Sequence, residues 1–181
     1  RLPEGLAEIR ATFQSALDRM RETPAFHFTA SSAFFYAWIE EADPAMFAEI
    51  RQRVQEGRWE IAGGWWIEPD CNLPGGESFV RQGLLGQRFF RSRFGKPAVI
   101  GFNPDSFGHC AMLPQILRQQ GLRYYAYMRP SADAGGPPER AYPDGTTFTW
   151  RGPDGSAVLS TNILIEYGST TGGMICLERI P

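Results

Sequence analysis

The sequence is poor in several things. Lys96 is its only lysine, so the basic residues are almost all arginine. With 18 basic against 20 acidic residues the net charge is −2, and no positive excess exists to neutralise phosphates; no nucleic-acid partner is expected. No apolar run approaches the roughly 18–20 residues that span a bilayer, so no membrane segment is expected either. The histidines are only His27 and His109, too few for a metal centre built on clustered imidazoles. The cysteines, Cys71, Cys110 and Cys176, contain no C-x-x-C pair. Neither a disulfide framework nor a thiolate zinc site is indicated, and a reducing, cytoplasmic setting is expected. There is no initiating Met and no signal-peptide pattern: the chain opens at Arg1 in the approach to a helix and reads as a piece of a longer protein.

What is present suits a folded α/β protein. Of 181 residues, 43% are hydrophobic and 13% aromatic, enough to build a core. Residues 4–22 carry Leu6, Ile9, Phe13, Ala16, Leu17 and Met20 at helical spacing, stopped by Thr23-Pro24. Phe26 to Thr29 alternates as a short strand that contains His27 in a structural role. Ser31 and Ser32 are candidate caps for a second helix. Asp43-Pro44 opens a third, which ends at Gly57. Trp59 to Ile67 reads as one buried strand with Gly63-Gly64 in its middle. A helix from Glu77 to Phe94, a strand from Ala98 to Phe102, a helix from Leu113 to Gln120 and a strand from Arg123 to Met128 follow. This alternation predicts parallel strands with helical crossovers. Residues 130–145 read as a long loop, Asp154-Gly155 as a hairpin turn, and the tail from 166 to 181 stays unassigned.

In such a sheet, ligands bind beyond the carboxyl ends of the strands. Three strands deliver chemistry there: Glu68 and Asp70 after Trp65-Trp66-Ile67, Asp105 after Phe102-Asn103, and Arg129 after Tyr127-Met128. Carboxylates beside tryptophan suit carbohydrate, because indole faces pack on sugar rings and carboxylates accept bonds from vicinal hydroxyls. An aspartate can also be a nucleophile or a metal ligand. Each residue has a bland alternative: Asp105 as a helix cap, Glu68 and Asp70 as turn residues, Arg129 as a solvated strand end. Asp105 with His109 would be only half of a metal site.

Gly63-Gly64-Trp65-Trp66-Ile67-Glu68-Pro69-Asp70-Cys71-Asn72-Leu73-Pro74, Gly76-Glu77-Ser78, and Asn103-Pro104-Asp105-Ser106-Phe107-Gly108-His109 with Leu113-Pro114-Gln115 resemble the α-mannosidases of glycoside hydrolase family 38. Phe28-Thr29-Ala30-Ser31-Ser32 and Trp150-Arg151-Gly152-Pro153-Asp154-Gly155-Ser156 fit its bacterial members. The resemblance implies that residues 1–181 are part of one catalytic domain of (β/α)7-barrel type, incomplete in this chain. It implies a retaining, zinc-dependent α-mannosidase acting on terminal α-mannosyl linkages. Asp105 would be nucleophile and zinc ligand, Arg129 would line the substrate pocket, and Glu68, Asp70 and Trp66 would border the sugar.

The family also takes zinc ligands from a His-x-Asp motif and from a later histidine, and its general acid comes from later sequence; none of these is found here. One zinc ion is thus expected, with its remaining ligands outside this segment, and the segment alone is expected neither to turn over nor to bind zinc tightly. The second reading is a catalytically incomplete, carbohydrate-binding fragment. The partner implied is a mannose-containing glycan. An incomplete barrel also leaves open sheet edges, to be covered by missing chain or by a homo-oligomer.

Overall fold

The structure, a computed structural model, describes residues 2–129 and 146–163. The expected loop over 130–145 and the tail from 166 lie outside them. The order is α1 (Leu2–Glu22), β1 (Phe28–Ala30), α2 (Ala33–Ala42), α3 (Pro44–Gln55), β2 (Trp59–Ile61), α4 (Gly76–Phe94), β3 (Ile100–Asn103), α5 (Leu113–Gln119), β4 (Tyr124–Tyr127), β5 (Thr147–Arg151) and β6 (Ala157–Asn162). None of the described helices is long and apolar enough to cross a membrane.

The helices follow their sequence patterns. α1 buries Phe13, Ala16, Leu17 and Met20, one face at three- and four-residue intervals. α3 starts as its Asp-Pro pair requires. Asp43 Oδ1 accepts the Met46 N–H at 3.1 Å and Oδ2 meets Arg10 Nη2 at 2.7 Å. Together these hold the carboxyl below its usual range, the Met46 amide contributing most. α4 ends on Gly95, whose φ of 73° suits a residue without Cβ.

β1 and β2 pair in parallel, Phe28 opposite Trp59 and Ala30 opposite Ile61. The second sheet has the order β3-β4-β6-β5. β3, β4 and β6 run parallel, and β5 turns back along β6 as the Asp154-Gly155 hairpin. A single backbone bond, from Gly63 N–H to the Ile100 carbonyl at 2.8 Å, links the end of β2 to β3. The described residues thus form an α/β fold with two small sheets.

Three local expectations are corrected. The strand from Trp59 stops at Ile61, because Gly63 and Gly64 adopt φ of 84° and 74°, a left-handed pair that no strand continues through. Trp65 and Trp66 therefore do not alternate across a sheet; their carbonyls accept the Ala33 and Phe34 amides at 3.0 and 2.8 Å. Those are the first amides of α2, so backbone caps that helix and neither serine does. Ser32, at φ 70°, instead turns its hydroxyl to accept the Glu68 N–H at 3.2 Å. His27, expected inside the first strand, precedes it and is exposed.

Helix α4 presses directly on this loop. A Cβ on Gly86 would lie 2.4 Å from the Trp65 carbonyl carbon, and one on Gly64 would lie 2.7 Å from a Leu122 methyl. Close packing here sets the course of the chain from β2 toward Glu68.

Candidate active site

Strand register brings the site together. Asn103 pairs with Tyr127, and Tyr127 with Asn162, so three parallel strands end level. Two residues past each of the first two ends stand Asp105 and Arg129. Their side chains meet: Arg129 Nε lies 2.8 Å from Asp105 Oδ1, with 35% and 50% of the two side chains exposed. A pair that open to water adds about 0–1 kcal/mol to stability. Its consequence is orientation, reinforced by the guanidinium lying over the Phe107 ring at 5.3 Å. Asp105 caps no helix, since α5 begins at Leu113 with Met112 in the capping position. Its carboxylate faces solvent beside a cation.

The turn carrying Asp105 is tied to the 68–72 loop at several points. Glu68 Oε1 accepts the Asp105 N–H at 3.0 Å. Ser106 Oγ accepts the Cys71 N–H at 3.2 Å and donates to the Gly108 carbonyl at 2.7 Å. Gly108 sits at φ 126°, and a Cβ there would lie 2.2 Å from Asn72 Nδ2. That φ is one that residues with a Cβ rarely adopt, so the turn favours glycine here. From below, the buried Asn103 donates through Nδ2 to the Pro69 carbonyl at 2.8 Å and to Cys71 Sγ at 2.9 Å.

Electrostatics separates the two acids of the 68–72 loop. Burial raises the Glu68 carboxyl, the Asp105 amide opposing the rise and the Asp105 charge adding to it. Asp70 is lowered instead, because its Oδ1 accepts the Asn72 and Leu73 amides at 2.8 and 2.9 Å. Asp70 is thus engaged in its own turn. Trp66 packs its ring against Phe34 and Phe89, with centroids 6.2 and 6.1 Å away. The structure therefore brings Asp105, Arg129 and Glu68 into one bonded cluster and holds Asp70 and Trp66 by separate contacts.

His109 is engaged through both ring nitrogens. Nε2 lies 2.7 Å from the Arg129 carbonyl and Nδ1 lies 3.0 Å from the Tyr125 hydroxyl. Neither nitrogen is available to a metal without breaking a bond. Among the described residues no group of three or more His, Cys, Asp or Glu could hold a metal ion. These residues by themselves do not make a zinc site.

Sequence reasoning missed the supporting layer. Asn103, Ser106 and Gly108 fall inside the Asn-Pro-Asp-Ser-Phe-Gly-His block, whose density of turn formers was a usable signal. Tyr125 carried none: it is one of several aromatics in a strand, and only its neighbours make it special.

Comparison with known proteins places the chain in a family. Residues 3–175 match the family described as "Glycosyl hydrolases family 38 N-terminal domain". The chain is 40% identical over 149 residues to "Alpha-mannosidase G" of Dictyostelium discoideum, covering 82% of this chain and 13% of that protein. It is 36% identical over 156 residues to the human "Alpha-mannosidase 2C1", covering 86% of this chain and 14% of that one. The chain therefore spans about one seventh of the length of these curated relatives. The fold is shared with the crystal structure of an α-mannosidase from Enterococcus faecalis V583 at a TM-score of 0.75 and 23% identity, over 89% of this chain and 18% of that chain. With the match running over nearly its whole length, the chain belongs to glycosyl hydrolase family 38.

Proposed function

We propose that the protein to which this chain belongs is a retaining α-mannosidase that hydrolyses terminal α-mannosyl linkages of oligosaccharides or glycoconjugates. The observation that carries the reading is the Asp105 carboxylate, half exposed at the tip of β3 and held by Arg129 from the tip of β4. Asp105 attacks the anomeric carbon while a second acid, outside the described residues, protonates the leaving oxygen. The two carboxyl groups of such a pair stand about 5–5.5 Å apart. Arg129 fixes the approach of the nucleophile, and Glu68, through the Asp105 amide, fixes the turn that carries it. Asp70 and Trp66 border the sugar.

One zinc ion belongs to this reading. Asp105 would be its ligand from this chain, and the remaining ligands would come from outside the described residues. Bound there, such an ion would supply Lewis-acid polarisation of sugar hydroxyls. The sheet is part of a (β/α)7 barrel, and residues 1–181 belong to that one catalytic domain. Support comes from the sheet face carrying Ile100, Tyr124, Ala126 and Leu159, which is open among the described residues, with Tyr124 42% and Leu159 46% exposed. Further chain of the same domain packs there. The free thiols of Cys71 and Cys110 support a cytoplasmic setting.

The test is hydrolysis of 4-nitrophenyl α-mannoside by the full-length parent. The expected result is turnover with one zinc per chain, loss of turnover on chelation, and an Asp105→Ala rate lower by a factor on the order of 10⁶. A parent that binds mannosides without cleaving them favours the incomplete carbohydrate-binding reading.

A further inference from the structure

Arg129 is fastened to the Asp105 turn three times. Its N–H donates to the Pro104 carbonyl at 3.1 Å, its Nε meets Asp105 Oδ1 at 2.8 Å, and its carbonyl lies 2.7 Å from His109 Nε2. The first two contacts come from residues adjacent to one another. The third reaches back from the far end of the turn, and it is the one in which a side chain holds the Arg129 backbone.

The chemistry of that contact determines the state of the ring. A carbonyl oxygen only accepts, so Nε2 carries the hydrogen. Burial pushes the imidazole toward its neutral form, the Arg129 carbonyl opposing. Nδ1 of a neutral ring with hydrogen on Nε2 can only accept, so the Tyr125 hydroxyl donates to it across 3.0 Å. Tyr125 is itself wholly buried, with Cys71 Sγ 3.9 Å from its oxygen. The His109 ring also packs edge-on with the Tyr127 ring at 4.8 Å and the Trp150 ring at 6.0 Å. Its neighbour Cys110 donates its N–H to the Cys71 carbonyl at 3.2 Å. The His109-Cys110 segment thus joins the loop after β2, the turn after β3 and the end of β4.

We propose that His109 is a positioning residue for the reaction, holding Arg129 against the nucleophile Asp105 by donating from Nε2 to the Arg129 carbonyl. This rests on the α-mannosidase reading. Tyr125 in turn occupies the other nitrogen of His109 by donating to Nδ1. The role is not that of a metal ligand or of an acid–base group, because both nitrogens are engaged by protein.

Glutamine and asparagine variants of the full-length parent separate this from a packing role. The amide nitrogen of His109→Gln can reach where Nε2 stands, whereas that of His109→Asn reaches only the Nδ1 level. His109→Asn is expected to lose kcat on the order of 10²-fold, the size of effect that misplacing a reacting group brings, with KM changed much less. His109→Gln is expected to recover most of that loss although its melting temperature falls as far as that of the asparagine variant. Equal kcat in the two variants, or a loss confined to KM, overturns the proposal.

A second readout does not need activity. ¹⁵N NMR of imidazole-labelled wild-type parent is expected to show His109 protonated at Nε2 and bare at Nδ1 at neutral pH. Hydrogen on Nδ1 overturns the proposal even in an active enzyme. A wild-type parent with no mannosidase activity sinks the functional reading instead, and the tautomer measurement still decides whether His109 donates to Arg129.

Discussion

Two buried tyrosines, one in each sheet region, do opposite things with the same chemistry. Tyr36 lies in the aromatic core around β1 and β2, ringed by Phe13, Trp59, Phe90 and Phe94. Its hydroxyl donates to the Ala30 carbonyl at 3.0 Å and accepts from Trp59 Nε1 at 2.9 Å. Both partners are buried and neither leads anywhere. Tyr125 lies under the strand tips of the second sheet, and its hydroxyl leads through His109 to Arg129. Burial raises both phenols, and both stay neutral. A buried hydroxyl must be bonded wherever it sits. Whether it seals a core or carries position to a site depends on where its partners end.

The contrast can be broken, most strongly at the tryptophan. Trp59 is fully buried, with Phe28 and Phe13 centroids 4.8 and 5.1 Å from its own. Trp59→Ala in the parent should cost about 3–5 kcal/mol of stability, read by denaturant melts. A loss near zero would mean that this region is not a dry core.

The tyrosines give the sharper test. Tyr36→Phe and Tyr125→Phe each strand buried partners, a cost of about 1–3 kcal/mol. The melts of the two variants should fall together while kcat falls for Tyr125→Phe alone. Equal kcat in both would erase the distinction.

A smaller effect concerns Glu68. Its raised carboxyl binds a proton more tightly folded than unfolded. The stability this lends is full below the unfolded pKa and is lost as pH rises through the raised one. Charged Glu68 is thus a cost at neutral pH, and Glu68→Gln, which still offers an oxygen to the Asp105 amide, should melt no lower than wild type there. The advantage of the variant should shrink in mild acid. A lower melting point at neutral pH would show that the charge stabilises this loop.

The smallest effect is chemical. Burial pushes the Cys71 thiol up to about 11. Native parent should leave Cys71 unmodified by iodoacetamide at neutral pH, as mass spectrometry of its peptide would show. Rapid labelling would mean that the loop over it opens.

Much of this was legible one residue at a time. Phe13, Ala16, Leu17 and Met20 announce a buried helical face, Asp43-Pro44 announces a helix start, and Asp154-Gly155 announces a hairpin, because each depends on chemistry within a few positions. Asp105 and Arg129 were legible as chemical groups after strands. The end of β2 was not: Trp59 to Ile67 is apolar throughout, and only the approach of α4 and of the Leu122 side chain shows why Gly63-Gly64 must turn. Ser32 looked like a cap, yet the carbonyls of Trp65 and Trp66, more than 30 residues on, take that work and free its hydroxyl for Glu68.

Alone, the sequence determined the helices, the turns and the identity of the acid at the strand tip, since periodicity, capping and turn chemistry act over short stretches of chain. Tertiary structure decided which groups meet. Register between β3 and β4 sets Asp105 against Arg129, and packing brings His109 under the Arg129 carbonyl with Tyr125 behind it. Hydrogen bonds act over about 3 Å and take no account of distance along the chain. A local pattern can therefore offer a donor, but only the fold supplies its acceptor.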